Sequence, residues 1–452
     1  MRILRHLALS TALCVSAPAL AAVTSQEAAQ LGDRLTPVGA VQAGNKEGTI
    51  PAWQGGLKQP PIEYRPGTHL INPFPGEKPL FTINQNNLKK HKDKLTPGQQ
   101  ALFKQYPDTY RMDIYPSHRS VALPEAVYEA AKQNATTAKL TANGNGVENW
   151  SEAIPFPIPK NGLEAIWNHI TRYRGGGMER QVVQAVVQRN GGYNLIKFDE
   201  TAITGSYIKG DKEQGDDNIL VYFKQKVTAP ARLTGNVLLV HETINQYEEP
   251  RKAWVYNAGQ RRVRRAPQVA YDGPGTAADG LRTADNFDMF SGSPDKYDWK
   301  LIGKREIFIP YNNFELASSA HSYDEILRQG HLNKDLTRYE LHRVWEIEAT
   351  LKSDQRNIYS RRTIFIDEDS WQIAVIDHYD GRDQIWRVAE GYAVQFYYAS
   401  TPMYAAEVIH DLNSNRYIAL GLHNEEQAPV KFGVIAQRRD FTPAAIRRMG
   451  HR

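Results

Sequence analysis

The chain has 452 residues, 41% of them hydrophobic and 23% charged, with one cysteine and a net charge of +5. That apolar content excludes global disorder, and a single cysteine excludes an intramolecular disulfide framework, a zinc ribbon or an iron–sulfur site. The charge is small for this length and is interspersed along it, so nucleic acid is not an expected partner.

The first 21 residues read as a secretory signal. Arg2 and Arg5 form a positive start, Leu7 to Val15 a short apolar run, and Ala19-Leu20-Ala21 a cleavage site. The run falls short of the about 20 residues that span a bilayer. Cys14 does not suit lipid attachment, because Leu13 precedes it and the apolar run would be cut short. No later apolar segment has spanning length, so an exported protein of the Gram-negative periplasm is expected, not an integral membrane protein. Cleavage removes Arg2, Arg5 and the only cysteine, and takes the charge from +5 to +3.

Residues 22–160 hold most of the proline: 15 of the 25 lie between Pro37 and Pro159. Proline removes a ladder donor, so this stretch is expected to be an extended wrapping segment with short helices. One helix is predicted over Pro97–Gln105 with Thr96 as its cap, and another from Pro124 to about Lys132. A third follows Asn161, where Leu163, Ile166, Trp167, Ile170 and Tyr173 form one apolar face before three glycines.

From Arg180 to Val434 the pattern changes to period two, which predicts an antiparallel sheet. Strands are expected at 181–187, 193–198, 219–227, 232–244, 254–257, 261–265, 301–309, 343–351, 358–367, 372–379, 384–390 and 391–399. Asn190-Gly191-Gly192 is a hairpin turn, and Asp367-Glu368-Asp369-Ser370 and Tyr379–Asp383 are polar turns. Residues 266–294, with Phe287, Met289 and Phe290, read as a long structured loop or lid. A short helix capped by Thr442 ends the chain.

Motifs for phosphate loops, dinucleotides, zinc peptidases and nucleophile elbows are absent. His321 and His331 are too loosely spaced to define a metal site, and neither a metal nor a cofactor is expected. The basic run Arg261–Arg265 reads as a solvated strand. Acids around Asp377–Asp383 leave an envelope hydrolase as an alternative, and a non-binding scaffold is a third reading. The aromatic load is more informative. A sheet with so little helix to cover it favours a hydrophobic cavity, for which Trp254, Tyr256, Val237, Leu239, Tyr392 and Phe396 are candidate lining residues. Ile166, Trp167, Ile170, Phe287 and Phe290 are candidate gates.

Three stretches carry a family resemblance: Leu35–Gly56 (LTPVGAVQAGNKEGTIPAWQGG), Tyr271–Asn313 (YDGPGTAADGLRTADNFDMFSGSPDKYDWKLIGKREIFIPYNN) and Arg361–Val388 (RRTIFIDEDSWQIAVIDHYDGRDQIWRV). They resemble an exported bacterial family described as outer-membrane lipoprotein-sorting-like, distantly similar to the carriers LolA and LolB. The resemblance implies an incomplete antiparallel β-barrel over residues 161–452, closed by helices around a cavity for acyl chains. It also implies a periplasmic carrier of a lipid or other hydrophobic ligand. Such a carrier would work beside an inner-membrane exporter of the resistance–nodulation–division type. It brings no catalytic residues.

Overall fold

The computed structural model describes residues 23–212, 215–266 and 271–450. The expected signal peptide, Cys14 included, lies outside them. Helix boundaries follow their local signals. Thr96 and Gln99 cap each other's ends at the start of α1 (Pro97–Gln105), with proline in the first position. α2 (Glu125–Thr137) runs beyond Lys132. Its Asn134 donates to the carbonyls of Ser151 and Ala153 at 2.9 and 3.0 Å, so it ties the helix to the next segment and does not end it. Asn161 accepts from the Glu164 N–H at 3.0 Å and opens α3 (Gly162–Thr171). α4 (Pro443–Gly450) follows Thr442, which accepts from the Ala445 N–H at 3.2 Å.

One sheet of sixteen strands dominates the structure. The proline-rich third contributes β1 (Phe81–Ile83) and β2 (Met112–Ile114). A first meander contains β3 (Gly177–Val187), β4 (Tyr193–Thr204), β5 (Ile219–Ala229), β6 (Val237–Thr243), β7 (Lys252–Asn257) and β8 (Arg262–Arg265). A second contains β9 (Tyr297–Pro310), β10 (Tyr339–Leu351), β11 (Arg361–Asp367), β12 (Ile373–Tyr379), β13 (Ile385–Phe396), β14 (Thr401–Asp411) and β15 (Arg416–Leu422). β15 pairs with β3 and joins the two, while the two-residue β16 (Lys431–Phe432) extends β3. Every ladder of this sheet is antiparallel except a single pairing of Ile114 with Tyr339. The sheet does not close into a barrel. The architecture is therefore mainly β, as expected, with β8 a charged edge strand that resists pairing with another chain.

Two expectations need correction. The expected strands 384–390 and 391–399 do not divide at Gly391: Ile385–Phe396 is one strand, β13, with a bulge between Tyr392 and Ala393, and Tyr397–Ala399 is a 3-10 turn. Gly391 marks a close approach, since a Cβ there would sit 2.5 Å from the Tyr404 ring and 2.8 Å from the Ile373 carbonyl oxygen. β14 was not expected at all. All eleven of its residues are buried, so it has no alternation to read.

The burial of β14 on both faces reflects two cores. One face is covered by α2, α3 and the loop after Tyr271. The other is covered by the proline-rich third, through Tyr64, Leu70, Leu102 and Phe103, and by Phe314, Tyr323 and Ile326 after β9. Residues on both sides of position 160 thus share each core. The surplus of sheet over helix is covered by the chain itself.

Close backbone contacts hold the wrapping segment. Gly39 has φ of +90°, and a Cβ there would lie 1.7 Å from the Pro157 carbonyl oxygen. Gly39→Ala should therefore lower stability by more than the about 1–3 kcal/mol of backbone strain alone. Urea denaturation checks this, and an unchanged midpoint would refute the contact.

Candidate functional site

The loop after Tyr271 is built into the fold, not laid over it. Gly275 N–H donates to the Arg282 carbonyl at 3.0 Å, and Asp285 N–H to that of Tyr271 at 2.8 Å. Ala278, Leu281, Met289 and Phe290 are buried in the first core beside Ile166, Trp167 and Ile170 of α3. Charged pins surround them. Arg362 of β11 meets Asp285 at 2.6 Å. Arg172 pairs with Asp288, and Arg174 Nε donates to the same carboxylate at 2.8 Å. Met289 N–H donates to Glu407 Oε2 at 2.7 Å. Burial works to raise the Asp288 carboxyl, but Arg172 and Arg174 hold it well below the usual carboxylate range. Burial and the Asp288 charge push Glu407 up.

Beside this filled face opens a cleft of about 550 Å³. Tyr173 and Arg174, just past α3, form one wall; Leu220 and Val221 of β5 form another, and Trp150 and Ile244 complete it. Arg174 is a fifth exposed, and Arg172 is sealed beneath. Glu148, Glu152, Asp217 and Glu248 also line it, and the Arg174 guanidinium is engaged by Asp288 and three backbone carbonyls, so the cleft combines apolar walls with an excess of acidic side chains. A second cleft of about 720 Å³ is lined by Arg111, Arg189, Arg328 and Lys334 and is more basic.

The six candidate lining residues fall into two groups, and neither lines the first cleft. Trp254, Tyr256, Val237 and Leu239 do come together, beneath α4, where Phe441 and Ile446 cover them. Tyr392 and Phe396 lie in the second core. Tyr392 donates to Glu390 Oε2 at 3.0 Å, and the Phe396 ring meets Phe432 at 5.2 Å. Of the gate candidates, Ile166, Trp167, Ile170 and Phe290 share the loop-filled core, and Phe287 is half-buried against Phe223 at 5.3 Å. Sequence reasoning missed Arg172, Arg174, Asp288 and Glu407. Pairs more than 100 residues apart leave no local signal; only the cationic pair flanking Tyr173 directly after an amphipathic helix hinted at them.

The acids proposed for hydrolysis do not face one another. Asp377 is buried beneath α1, accepting from Thr96 Oγ1 at 3.0 Å and Gly98 N–H at 2.9 Å. Asp380 accepts from the backbone of its own turn, and Asp383 is exposed and pairs with Arg361 at 2.8 Å. Asp367, Glu368 and Asp369, expected in a polar turn, are buried there.

A family model described as Protein of unknown function (DUF1329) matches residues 82–447. The chain belongs to the DUF1329 family. Uncharacterized protein PA3922 of Pseudomonas aeruginosa is 57% identical over 451 residues, covering 100% of this chain and 99% of its own length. Three solved structures are similar at low identity. A putative outer membrane lipoprotein-sorting protein domain from Vibrio parahaemolyticus has a TM-score of 0.44 at 12% identity, covering 63% of this chain and 98% of that one. A DUF1329 family protein from Desulfovibrio piger has a TM-score of 0.42 at 14%, covering 60% and 92%. A LolA superfamily protein from Nitrosomonas europaea has 0.35 at 13%, covering 61% and 93%. Among the described residues of this DUF1329 chain, no helix is long and apolar enough to cross a membrane.

Proposed function

We propose that the protein binds and carries a lipid or other hydrophobic molecule in the periplasm, and is not a catalyst. The observation that carries this reading is the 550 Å³ cleft, with Trp150, Tyr173, Leu220, Val221 and Ile244 as apolar walls. Burying an acyl chain there supplies about 25 cal/mol per Å² before ordering costs. The loop and α3 are the candidate gates: release of the Asp288 pins would extend the cleft toward the core that Phe290 and Ile170 now fill. Such a change would trade affinity for hand-over to a partner. An inner-membrane exporter as that partner rests on the sequence resemblance alone.

Native mass spectrometry of the protein purified from its own envelope tests the reading. A bound amphiphile is expected. Leu220→Arg, at a half-buried wall position, should weaken uptake of a fluorescent fatty acid at least about tenfold while leaving the fold intact. A protein that is unliganded and also ignores acyl probes would refute the proposal.

A further inference from the structure

The turn between β11 and β12 carries Asp367, Glu368, Asp369 and Ser370, and all four are buried. The proline-rich segment lies across it. Val41 N–H donates to Glu368 Oε2 at 3.2 Å, and the Trp371 indole donates to the Val38 carbonyl at 2.9 Å. Arg119 grips Asp369 with bonds of 2.9 and 2.6 Å. Glu368 is further met by Lys304 at 2.7 Å and Arg343 at 3.4 Å.

Asp367 is different. Its Oδ2 accepts from Ser370 N–H and Oγ at 3.0 and 2.6 Å, but its buried Oδ1 has no hydrogen-bond partner. A second orphan sits beside it. The Tyr311 hydroxyl is buried and unpartnered, its ring stacks on His342 at 3.8 Å, and Asp367 and Asp369 are its main charged neighbours. Orphaned buried oxygens of this kind are costly and call for a missing partner.

The three side chains His342, Asp367 and Asp369 each offer one ligand atom, and these atoms lie within 4.8 Å of one another. His342 Nε2 is engaged by Glu340 Oε2 at 3.0 Å, and Glu340 is itself held by Arg338 at 2.6 Å and Asn312 at 2.9 Å. A carboxylate behind an imidazole is the arrangement that orients metal-bound histidines, and it leaves Nδ1 as the coordinating atom. Asp369 keeps lone pairs beyond those that Arg119 uses.

We propose that His342, Asp367 and Asp369 bind one divalent first-row transition ion of the Zn²⁺ class, with the Tyr311 hydroxyl at its edge. One imidazole and two carboxylates form a nitrogen–oxygen set suited to such an ion, and bonds of about 2.0–2.2 Å require the three side chains to draw together around it. The ion supplies the positive charge that Asp367 lacks. It joins β10 to the β11–β12 turn at the point where Arg119 and Val41 dock, so it clamps the wrapping segment to the sheet. This site is separate from the cleft and does not depend on its ligand.

The full mature chain, without a histidine tag, is refolded from urea with either ZnCl₂ or EDTA, desalted, and assayed for metal by mass spectrometry and for melting temperature. About one zinc per chain and a melting temperature several degrees above the EDTA sample are expected. Asp367→Asn, nearly isosteric, should retain less than about a tenth of the metal. Absence of stoichiometric metal from the wild-type chain with Zn²⁺, Mn²⁺ and Co²⁺, together with unchanged melting, overturns the proposal. So does an Asp367→Asn chain that still binds one zinc.

Discussion

Arg362→Met should destabilise the protein by about 3–5 kcal/mol, because it strands a buried carboxylate. Arg362 has no exposed surface, and its guanidinium lies 2.6 Å from Asp285 Oδ2 with the rings of Tyr297, Tyr359 and Phe290 at 5.0, 5.0 and 5.3 Å. Asp285 sits in the loop and Arg362 in β11, so the pair fastens the loop to the sheet. The aliphatic part of methionine keeps much of the packing, which isolates the charge. Asp285→Asn in the same chain should then restore most of the loss, because the uncompensated ion disappears. Urea midpoints of the single and double variants measure this. Hydrogen exchange should show faster amides in 271–294 for the single variant. Equal losses in both chains would mean that packing, not charge, holds the loop.

Stability should also fall between pH 6.5 and 4. Burial, aided by the charge of Lys334, lowers His331 to about 4 and His410 to about 3; burial lowers His423 to about 4. An unfolded imidazole takes up its proton near 6.5. Between 6.5 and 4 the unfolded chain therefore binds more protons than the folded one. The stability that is complete above 6.5 drains as pH falls, by up to about 1.4 kcal/mol per pH unit for each group. Asp367 and Asp377, raised by burial to about 7, act the other way, as do Glu407 and Glu164, because each is protonated first in the folded state. The three imidazoles, joined by His91 and the deeply depressed His169 and His378, outnumber these four carboxyls. His410 packs against Tyr417 at 5.4 Å, and its Nδ1 has no hydrogen-bond partner. His410→Phe should remove about one imidazole's share of the slope. Urea midpoints from pH 4.5 to 7 test it; parallel curves for wild type and variant would rule the assignment out.

Much of the local structure is legible in the residues themselves. Thr96-Pro97, Asn161 and Thr442 mark helix starts because the side-chain oxygen and the N–H that donates to it are only three residues apart. The Asn190-Gly191-Gly192 turn is set by the positive φ that Gly191 adopts, +87°. The half-buried strands β4 and β5 show their alternation. β14 could not be seen, since burial on both faces erases the period, and Gly391 looked like a break because a close approach and a turn use the same residue.

The candidate sites lie at the other end of that range. The acidic turn has the composition of a solvated hairpin, and partners far away in the chain cover it, among them Val41, 327 residues earlier, and Arg119, 250 residues earlier. Asp288 has no intrinsic reason to meet Arg172 and Arg174, and the filling of the sheet face by Phe290 depends on that meeting. By itself the sequence determined the fold class, the helix caps and most strands, because propensity and periodicity act between near neighbours. Only the tertiary structure decided which sheet faces are filled, which acids are buried and where open space remains. Those outcomes depend on segments far apart in the chain excluding water from the same place.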